Sequence, residues 1–161
     1  MRIKMLVMDV DGTLTDGHIY IGAEGEMMKA FHVQDGYAIA HILPEKGIVP
    51  VIITGRSSKI VERRAAELKL SHLHQGITDK LSKLQEVATA LGITAEEIAY
   101  IGDDINDLDC IRYCGMTACP ADAVPVVRKA VDYICERNGG NGAVREFIDK
   151  FVSEAESAER G

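Results

Sequence analysis

Two carboxylates stand close together near the start of the chain, in the sequence Asp9-Val10-Asp11-Gly12-Thr13. They end a nearly continuous apolar run that begins at Met5, which is typical of a strand buried on both faces. In an extended chain, residues two apart face the same way, so Asp9 and Asp11 can converge on one site. Such close negative charges must be offset by a metal ion, a proton or a cation. Alone, the motif fits a functional site and a pair of solvated turn carboxylates equally well.

A second group of polar residues is suited to binding phosphate. Thr54, Gly55 and Arg56 follow another apolar run and offer a hydroxyl, an approachable backbone N–H and a guanidinium. Lys80 opens a predicted helix behind Asp79, which can cap it. A lysine at a helix start adds a compact positive charge to a region that already favours anions.

A second acidic cluster follows a third apolar run and contains Asp103, Asp104 and Asp107. Grouped carboxylate oxygens of this kind suit Mg²⁺. Taken singly, these groups could be an ordinary turn threonine, a surface lysine and a solvated acidic loop. Their joint occurrence at the ends of predicted elements indicates one site that binds phosphate and Mg²⁺.

The elements that must position these residues alternate between short apolar runs and helical stripes. This alternation predicts an α/β fold, a Rossmann-like parallel sheet with helices on both faces. Ligands of such sheets bind beyond the carboxyl ends of the strands, where the polar groups stand. The predicted strands lie at 5–10, 49–54, 98–101, 116–118 and 133–135, and the predicted helices lie near 35–46, 60–68, 81–91 and 144–151.

One segment interrupts the alternation. Residues 17–32 contain two β-like stretches around a Gly22–Gly25 turn, which predicts a short hairpin flap rather than a cap domain. We therefore expect a single domain over residues 1–152, followed by a polar, frayed tail at 153–161.

Composition excludes several classes of protein. The chain has 161 residues and a formal net charge of −7, which disfavours a nucleic-acid partner. No apolar run approaches the ~20 residues of a membrane span, and the N-terminal residues show no signal-peptide cleavage site. The four cysteines lack zinc-ribbon spacing, so we expect free thiols and a cytoplasmic protein, with zinc or disulfide bonding as the alternative.

With these motifs in this order, the chain resembles the haloacid dehalogenase superfamily of phosphotransferases. Further segments at 29–37, 53–56 and 139–146 resemble its capless branch, which holds the 3-deoxy-D-manno-octulosonate (KDO) 8-phosphate phosphatases of lipopolysaccharide biosynthesis. The resemblance covers nearly the whole chain and implies a Mg²⁺-dependent phosphatase acting on a phosphorylated keto-sugar acid, with the eight-carbon KDO 8-phosphate as the leading candidate. It also implies a homotetramer in which the hairpins pack together and each subunit helps to close its neighbour's site.

The resemblance implies a role for each motif. Asp9 would be the nucleophile that forms an aspartyl-phosphate, and Asp11 would be the general acid and then the general base. The Asp9 carboxylate, the Asp11 main-chain carbonyl and Asp103 would hold Mg²⁺, with support from Asp104 and Asp107. Catalysis would also use Thr54 and Lys80. The implied substrate contacts are Asp11, Thr54, Gly55, Arg56, Arg64 and Lys80.

Three alternatives stay open. Arg56 favours the eight-carbon substrate, because relatives that act on nine-carbon ulosonic acid 9-phosphates, of the sialic-acid type, can carry glutamate there. Receiver domains share a carboxylate pair, a threonine and a lysine, but their acidic pair lies far from the phosphoacceptor in sequence. A silent oligomerisation domain should have lost motif residues, whereas all four motifs are present here. The sequence leaves the role of residues 139–146 open.

Overall fold

The computed structural model describes residues 2–161 of the chain, which contain eight short strands. In chain order they are β1 (Met5–Met8), β2 (Tyr20–Gly22), β3 (Gly25–Met28), β4 (Val49–Ile53), β5 (His72–His74), β6 (Ile98–Ile101), β7 (Met116–Cys119) and β8 (Tyr133–Ile134). Strands β2 and β3 form the predicted antiparallel hairpin, and the other six form one parallel sheet.

The helices connect the strands of this sheet. They are α1 (Val33–Tyr37), α2 (Leu43–Glu45), α3 (Lys59–Glu67), α4 (Lys80–Leu91), α5 (Leu108–Tyr113), α6 (Pro125–Ala130) and α7 (Ala143–Arg160). A π-turn at Ala38–Ile42 joins α1 to α2, and 3₁₀ turns at Ala95–Glu97 and Ile105–Asp107 precede β6 and α5.

The sheet is doubly wound around its first strand. The strand order is β5-β4-β1-β6-β7-β8, so the winding reverses between β1 and β6. In sheets of this type, ligands bind in the crevice outside the carboxyl ends of the strands at this reversal. The fold therefore places a binding crevice where β1 and β6 end.

Side-chain alternation along β1 divides the core into two halves. Leu6 and Met8 pack on the side of the α1–α2 segment and α7, whereas Met5 and Val7 pack on the side of α4, α5 and α6. These four side chains are all fully buried. Because both faces of the sheet are covered, β1 is apolar without interruption, as the sequence predicts.

Three local features differ from the sequence prediction. The helix predicted near 35–46 is interrupted by the π-turn at Ala38–Ile42, which lies directly before α2 and its Pro44, a residue that cannot donate a main-chain hydrogen bond. The extra edge strand β5 is short and pairs only with β4 among the described residues. Helix α7 continues through the polar segment to Arg160, and a Lys150–Glu154 ion pair at 2.7 Å joins its middle to this extension, while the fraying of the tail stays a prediction.

The described residues include no helix long and apolar enough to cross a membrane. The four cysteines are free, as predicted, and three of them are buried. Burial raises the pKa of the Cys119 thiol to about 11, so this side chain is held as an inert thiol.

Candidate active site

The ends of β1 and β6 bring the two predicted acidic motifs together at the winding reversal. Asp9 directly follows β1 and donates its backbone N–H to Ile101 on β6 at 3.2 Å. The Thr13 hydroxyl donates to Asp103 Oδ1 at 3.3 Å, across the same boundary. Gly12 has a φ of +92°, and a Cβ there would lie 1.9 Å from Asp103 Oδ2. The chain therefore needs glycine at this position for the two motifs to meet.

Lys80 joins the two motifs from a third element. Its ammonium lies 3.0 Å from Asp9 Oδ1 and 2.9 Å from Asp107 Oδ1. Lys80 is the first residue of α4, whose start is capped by the Asp79 carboxylate, which accepts the Ser82 N–H. The predicted cap is thus confirmed, and it delivers a buried ammonium to the centre of the site.

Asp107 is the most connected carboxylate of the cluster and has no exposed surface. Its Oδ2 accepts the backbone N–H groups of Asp103 at 2.9 Å and Asp104 at 3.1 Å. Its Oδ1 accepts the Tyr100 hydroxyl as well as Lys80. Asp107 therefore fixes both the loop after β6 and Lys80. The sequence predicts Asp107 only as a supporting residue of the metal site, so this wider role comes from the structure.

The donor set fits a divalent cation. One oxygen from each of Asp9, Asp103 and Asp107 lies within 4.8 Å of the others. Lys80 neutralises one of these three carboxylates and leaves two negative charges uncompensated. Burying such charges is costly unless they are paired or bound to a metal ion. The site thus has an excess of negative charge and a set of hard oxygen ligands, both of which suit Mg²⁺.

The pKa values of the two aspartates and the lysine reflect the same excess of negative charge. Burial, followed by the negative charge of Asp107, raises the pKa of Asp9 to about 6. Burial, followed by contact with Asp9, raises the pKa of Asp103 to about 9. Burial favours the neutral amine of Lys80, but Asp9 and Asp107 outweigh it and raise the pKa of the lysine. Three carboxylates thus share one cation, whereas Lys80 has two negative partners.

Asp104 occupies the edge of the cluster. It is exposed, and its Oδ1 accepts the Ile105 N–H at 2.7 Å, which caps the 3₁₀ turn at Ile105–Asp107. Asp103, by contrast, is half-buried and belongs to the group that can hold a metal ion. The two adjacent residues therefore face different surroundings.

The predicted phosphate-binding residues lie at the end of β4, the neighbour of β1. Thr54 is buried, and its backbone N–H donates to the His74 carbonyl at 3.0 Å. Gly55 follows in an exposed loop, and a Cβ there would lie 4.0 Å from the Asn106 side chain of the loop after β6. Arg56 is half-exposed, with Nε 3.8 Å from Asp11 Oδ2. These residues line the crevice on the side of β1 opposite β6.

Asp11 turns toward the hairpin. Its Oδ1 lies 2.6 Å from the ammonium of Lys29, which also lies 3.1 Å from Glu26 on β3. Neither Lys29 nor Glu26 is among the site residues predicted from the sequence. In the sequence, these two residues show only as opposite charges three positions apart on the hairpin. Their charge alone does not reveal which loop the hairpin faces.

Arg64 lies apart from the aspartate cluster. Its guanidinium stacks over the Phe31 ring at 5.7 Å and lies 3.4 Å from Glu67. A Cβ added to Gly36 would come within 2.3 Å of the same guanidinium, so the arginine packs against α1. Its contact with substrate stays a prediction.

The glycine-rich segment before α7 supports the turn that follows Asp9. The Gly140 N–H donates to the Thr13 carbonyl at 3.1 Å, and a Cβ at Gly139 would lie 2.0 Å from the Gly12 oxygen. The helix after it is held by Asp35, which accepts the Arg145 N–H at 2.9 Å. Within one subunit, this segment therefore packs behind the candidate nucleophile turn.

Comparison with known proteins agrees with this geometry. Residues 72–148 match the haloacid dehalogenase-like hydrolase family. The KDO 8-phosphate phosphatase KdsC of Escherichia coli K12 is 44% identical over 151 residues, which is 94% of this chain and 80% of that protein.

Solved structures give the same result. The chain superposes with a TM-score of 0.90 and 43% identity on a KDO 8-phosphate phosphatase from Moraxella catarrhalis in complex with a magnesium ion, a phosphate ion and KDO. That match covers 99% of this chain and 94% of the other. The Yersinia pestis phosphatase matches with a TM-score of 0.90 and 42% identity, over 94% and 81% of the two chains.

Proposed function

The chain belongs to the haloacid dehalogenase-like hydrolases, in the group of the KDO 8-phosphate phosphatases, and from this premise we propose that it hydrolyses KDO 8-phosphate to KDO and phosphate. It is a phosphoric monoester hydrolase. The observation that carries the proposal is the convergence of Asp9, Lys80 and Asp103 at the winding reversal, in a chain 43% identical to a phosphatase solved with magnesium, phosphate and KDO.

In the first step, a carboxylate oxygen of Asp9 attacks phosphorus. A bond forms between this oxygen and phosphorus, and the bond from phosphorus to the sugar oxygen breaks. Asp11 gives its proton to the departing oxygen, so the sugar leaves as a neutral alcohol. The phosphoryl group then remains on Asp9 as an aspartyl-phosphate.

In the second step, water releases the phosphoryl group. Asp11, now a carboxylate, accepts a proton from the water as its oxygen attacks phosphorus. The bond between phosphorus and Asp9 breaks, which yields inorganic phosphate and restores the nucleophile. Lys80 and the Thr54–Gly55 segment bind phosphoryl oxygens as their charge shifts in both steps.

Mg²⁺ would be held by the Asp9 carboxylate, the Asp11 main-chain carbonyl and Asp103, with Asp107 and Asp104 in support. When bound, it orients the phosphate and offsets the repulsion between the phosphate and Asp9. Asp107 holds the Asp103 loop through backbone N–H groups, so it keeps Asp103 in place for this role.

Substrate selection rests on arginines in this proposal. Arg56 lies at the crevice beside Asp11, where its guanidinium can bind the carboxylate of the sugar acid in bidentate fashion. Arg64 lies on α3, where its guanidinium stacks over Phe31, and its contact with substrate is proposed from the family resemblance alone.

A homotetramer explains the outer face of the hairpin. Ile21 is 72% exposed, Met27 is 69% exposed and Met28 is 56% exposed. Two short strands that expose such residues are marginal in water and are covered most simply by the hairpins of other subunits. The free cysteines favour a cytoplasmic location, where the enzyme would serve lipopolysaccharide biosynthesis.

The proposed function is tested by phosphate release from a panel of esters, with and without Mg²⁺. The panel contains KDO 8-phosphate, a nine-carbon ulosonic acid 9-phosphate and p-nitrophenyl phosphate. We expect kcat/KM for the eight-carbon ester to exceed that for the nine-carbon ester by at least about tenfold, since Arg56 is present. Preference for the nine-carbon ester, or no phosphate release from any of them, contradicts the proposal.

A further inference from the structure

A buried ammonium from the hairpin lies directly against Asp11. The Lys29 side chain is 1% exposed, and its Nζ lies 2.6 Å from Asp11 Oδ1. The same Nζ lies 3.1 Å from Glu26 Oε2, three residues earlier on β3. Charge-assisted bonds of this length are stronger and more directional than neutral ones. The hairpin therefore contacts Asp11 through the ammonium of Lys29.

Glu26 is the anchor that keeps this lysine in place. Besides Lys29, its carboxylate accepts the Ser58 hydroxyl and lies 3.4 Å from the Arg56 guanidinium. Ser58 caps the start of α3, where its Oγ accepts the Val61 N–H. Glu26 thus ties the hairpin to the loop between β4 and α3.

These four charged side chains form a balanced set. When Asp11 is ionised, as it is after giving up its proton, Asp11 and Glu26 supply two negative charges, and Lys29 and Arg56 supply two positive charges. Ile21, Met27 and Met28 of the hairpin are exposed. Within one subunit the hairpin segment is therefore held by these ionic contacts, by the Ser58–Glu26 hydrogen bond and by the packing of Phe31 against the core. A balanced set also avoids the cost of leaving a buried charge unpaired.

We propose that Lys29, anchored by Glu26, is a positioning residue that holds the Asp11 carboxyl group where it meets the leaving oxygen, a role that rests on the proposed function of Asp11. The hairpin then takes part in the chemical step as well as covering the site. After Asp11 has passed its proton to the departing alcohol, the carboxylate that results faces the Lys29 ammonium.

The proposal predicts a dependence on the leaving group. A sugar alkoxide needs a proton as its bond to phosphorus breaks, whereas p-nitrophenolate leaves without one because its ring delocalises the charge. Misplacing Asp11 should therefore lower kcat/KM, which reports the steps up to departure of the leaving group, selectively for the sugar phosphate. The second step, in which Asp11 is the base, is common to both substrates. A residue that merely held the fold together would slow both substrates equally.

The test compares kcat/KM of Lys29→Met for KDO 8-phosphate and for p-nitrophenyl phosphate. We expect a fall of about 10- to 100-fold for the sugar phosphate, since small misplacements of a catalytic group cost this much, and little change for p-nitrophenyl phosphate. Lys29→Arg, which keeps a cation, should recover part of the lost rate. Lys129→Met, an exposed lysine on α6, is the matched control and should behave as wild type.

Two further variants separate the possible failures. Asp11→Asn must show the same selectivity; if it does not, the acid role in the proposed function is wrong. If Asp11→Asn is selective but Lys29→Met slows both substrates equally or neither, the inference about Lys29 is overturned alone. Should Lys29→Met fail to fold by circular dichroism, Glu26→Gln removes the anchor at constant size, and equal losses on both substrates again overturn the inference.

Discussion

Gly12 and Asp103 approach so closely that no side chain fits between them. A Cβ built at Gly12 would lie 1.9 Å from Asp103 Oδ2, and the backbone φ of Gly12 is +92°. The turn after β1 and the loop after β6 are therefore packed together, with the backbone of Gly12 against the side chain of Asp103. This contact sets how far Asp9 stands from Asp103, the two carboxylates proposed to share Mg²⁺.

Gly12→Ala is expected to displace Asp103 and weaken Mg²⁺ binding. We expect the Mg²⁺ concentration for half-maximal activity to rise by at least about tenfold, since a shifted ligand degrades a site with few protein ligands. The measurement is phosphate release at increasing Mg²⁺. Gly92→Ala is the control, because Gly92 also has a positive φ of 68° but has open space where a Cβ would stand. A wild-type Mg²⁺ dependence in Gly12→Ala contradicts the proposed metal geometry.

Removing a ligand should have a larger effect than displacing it. Asp103→Ala is expected to lose most activity at Mg²⁺ concentrations that saturate the wild type, because few protein ligands hold the ion. EDTA should abolish wild-type phosphate release, and added Mg²⁺ should restore it. Asp109→Ala, on the exposed face of α5, serves as the control. Full wild-type activity after exhaustive chelation is the outcome that refutes metal dependence.

The sequence predicts this geometry as far as periodicity and strand ends allow. The uninterrupted apolar run of β1 indicates a strand covered on both faces. The positions of Asp9 and Asp103 at strand ends can then be predicted, because each follows an apolar run. Capping of α4 by Asp79 is equally local, so it too is predictable. The roles of these residues in catalysis stay predictions.

Other features depend on contacts between distant segments. Asp107 gathers Lys80, Tyr100 and two backbone N–H groups only because three elements meet around it. The pairing of Lys29 with Asp11 depends on how the hairpin leans over the site. By contrast, local signals exist for the π-turn at Ala38–Ile42, in Pro44, and for the extension of α7, in the i, i+4 spacing of Lys150 and Glu154.

Arg56→Glu should change substrate preference. We expect kcat/KM for KDO 8-phosphate to fall by about 10- to 100-fold, because a bidentate contact with the sugar carboxylate is replaced by repulsion. p-Nitrophenyl phosphate has no such carboxylate and should lose much less. Equal losses on both substrates would instead assign Arg56 to the phosphate or to the fold, since it also lies near Asp11 and Glu26.

The outer face of the hairpin predicts the assembly. Ile21→Asp combined with Met27→Asp should split the homotetramer, because charges would stand where apolar side chains are proposed to meet. Size-exclusion chromatography with light scattering measures the mass, and activity should fall with it. Val126→Asp adds the same charge to an exposed residue of α6 and should leave the mass unchanged. A fully active wild-type monomer contradicts this assembly.

The central claim is that Asp9 is the nucleophile of a phosphatase, and Asp9→Asn tests it most directly. An amide keeps the size of the side chain but is a poor nucleophile, so the variant should fold normally and lose at least about a thousandfold in kcat. The measurement is phosphate release from KDO 8-phosphate at saturating Mg²⁺, with circular dichroism of the same preparation. The account predicts a folded protein without turnover, and near-wild-type phosphate release from pure Asp9→Asn would contradict it.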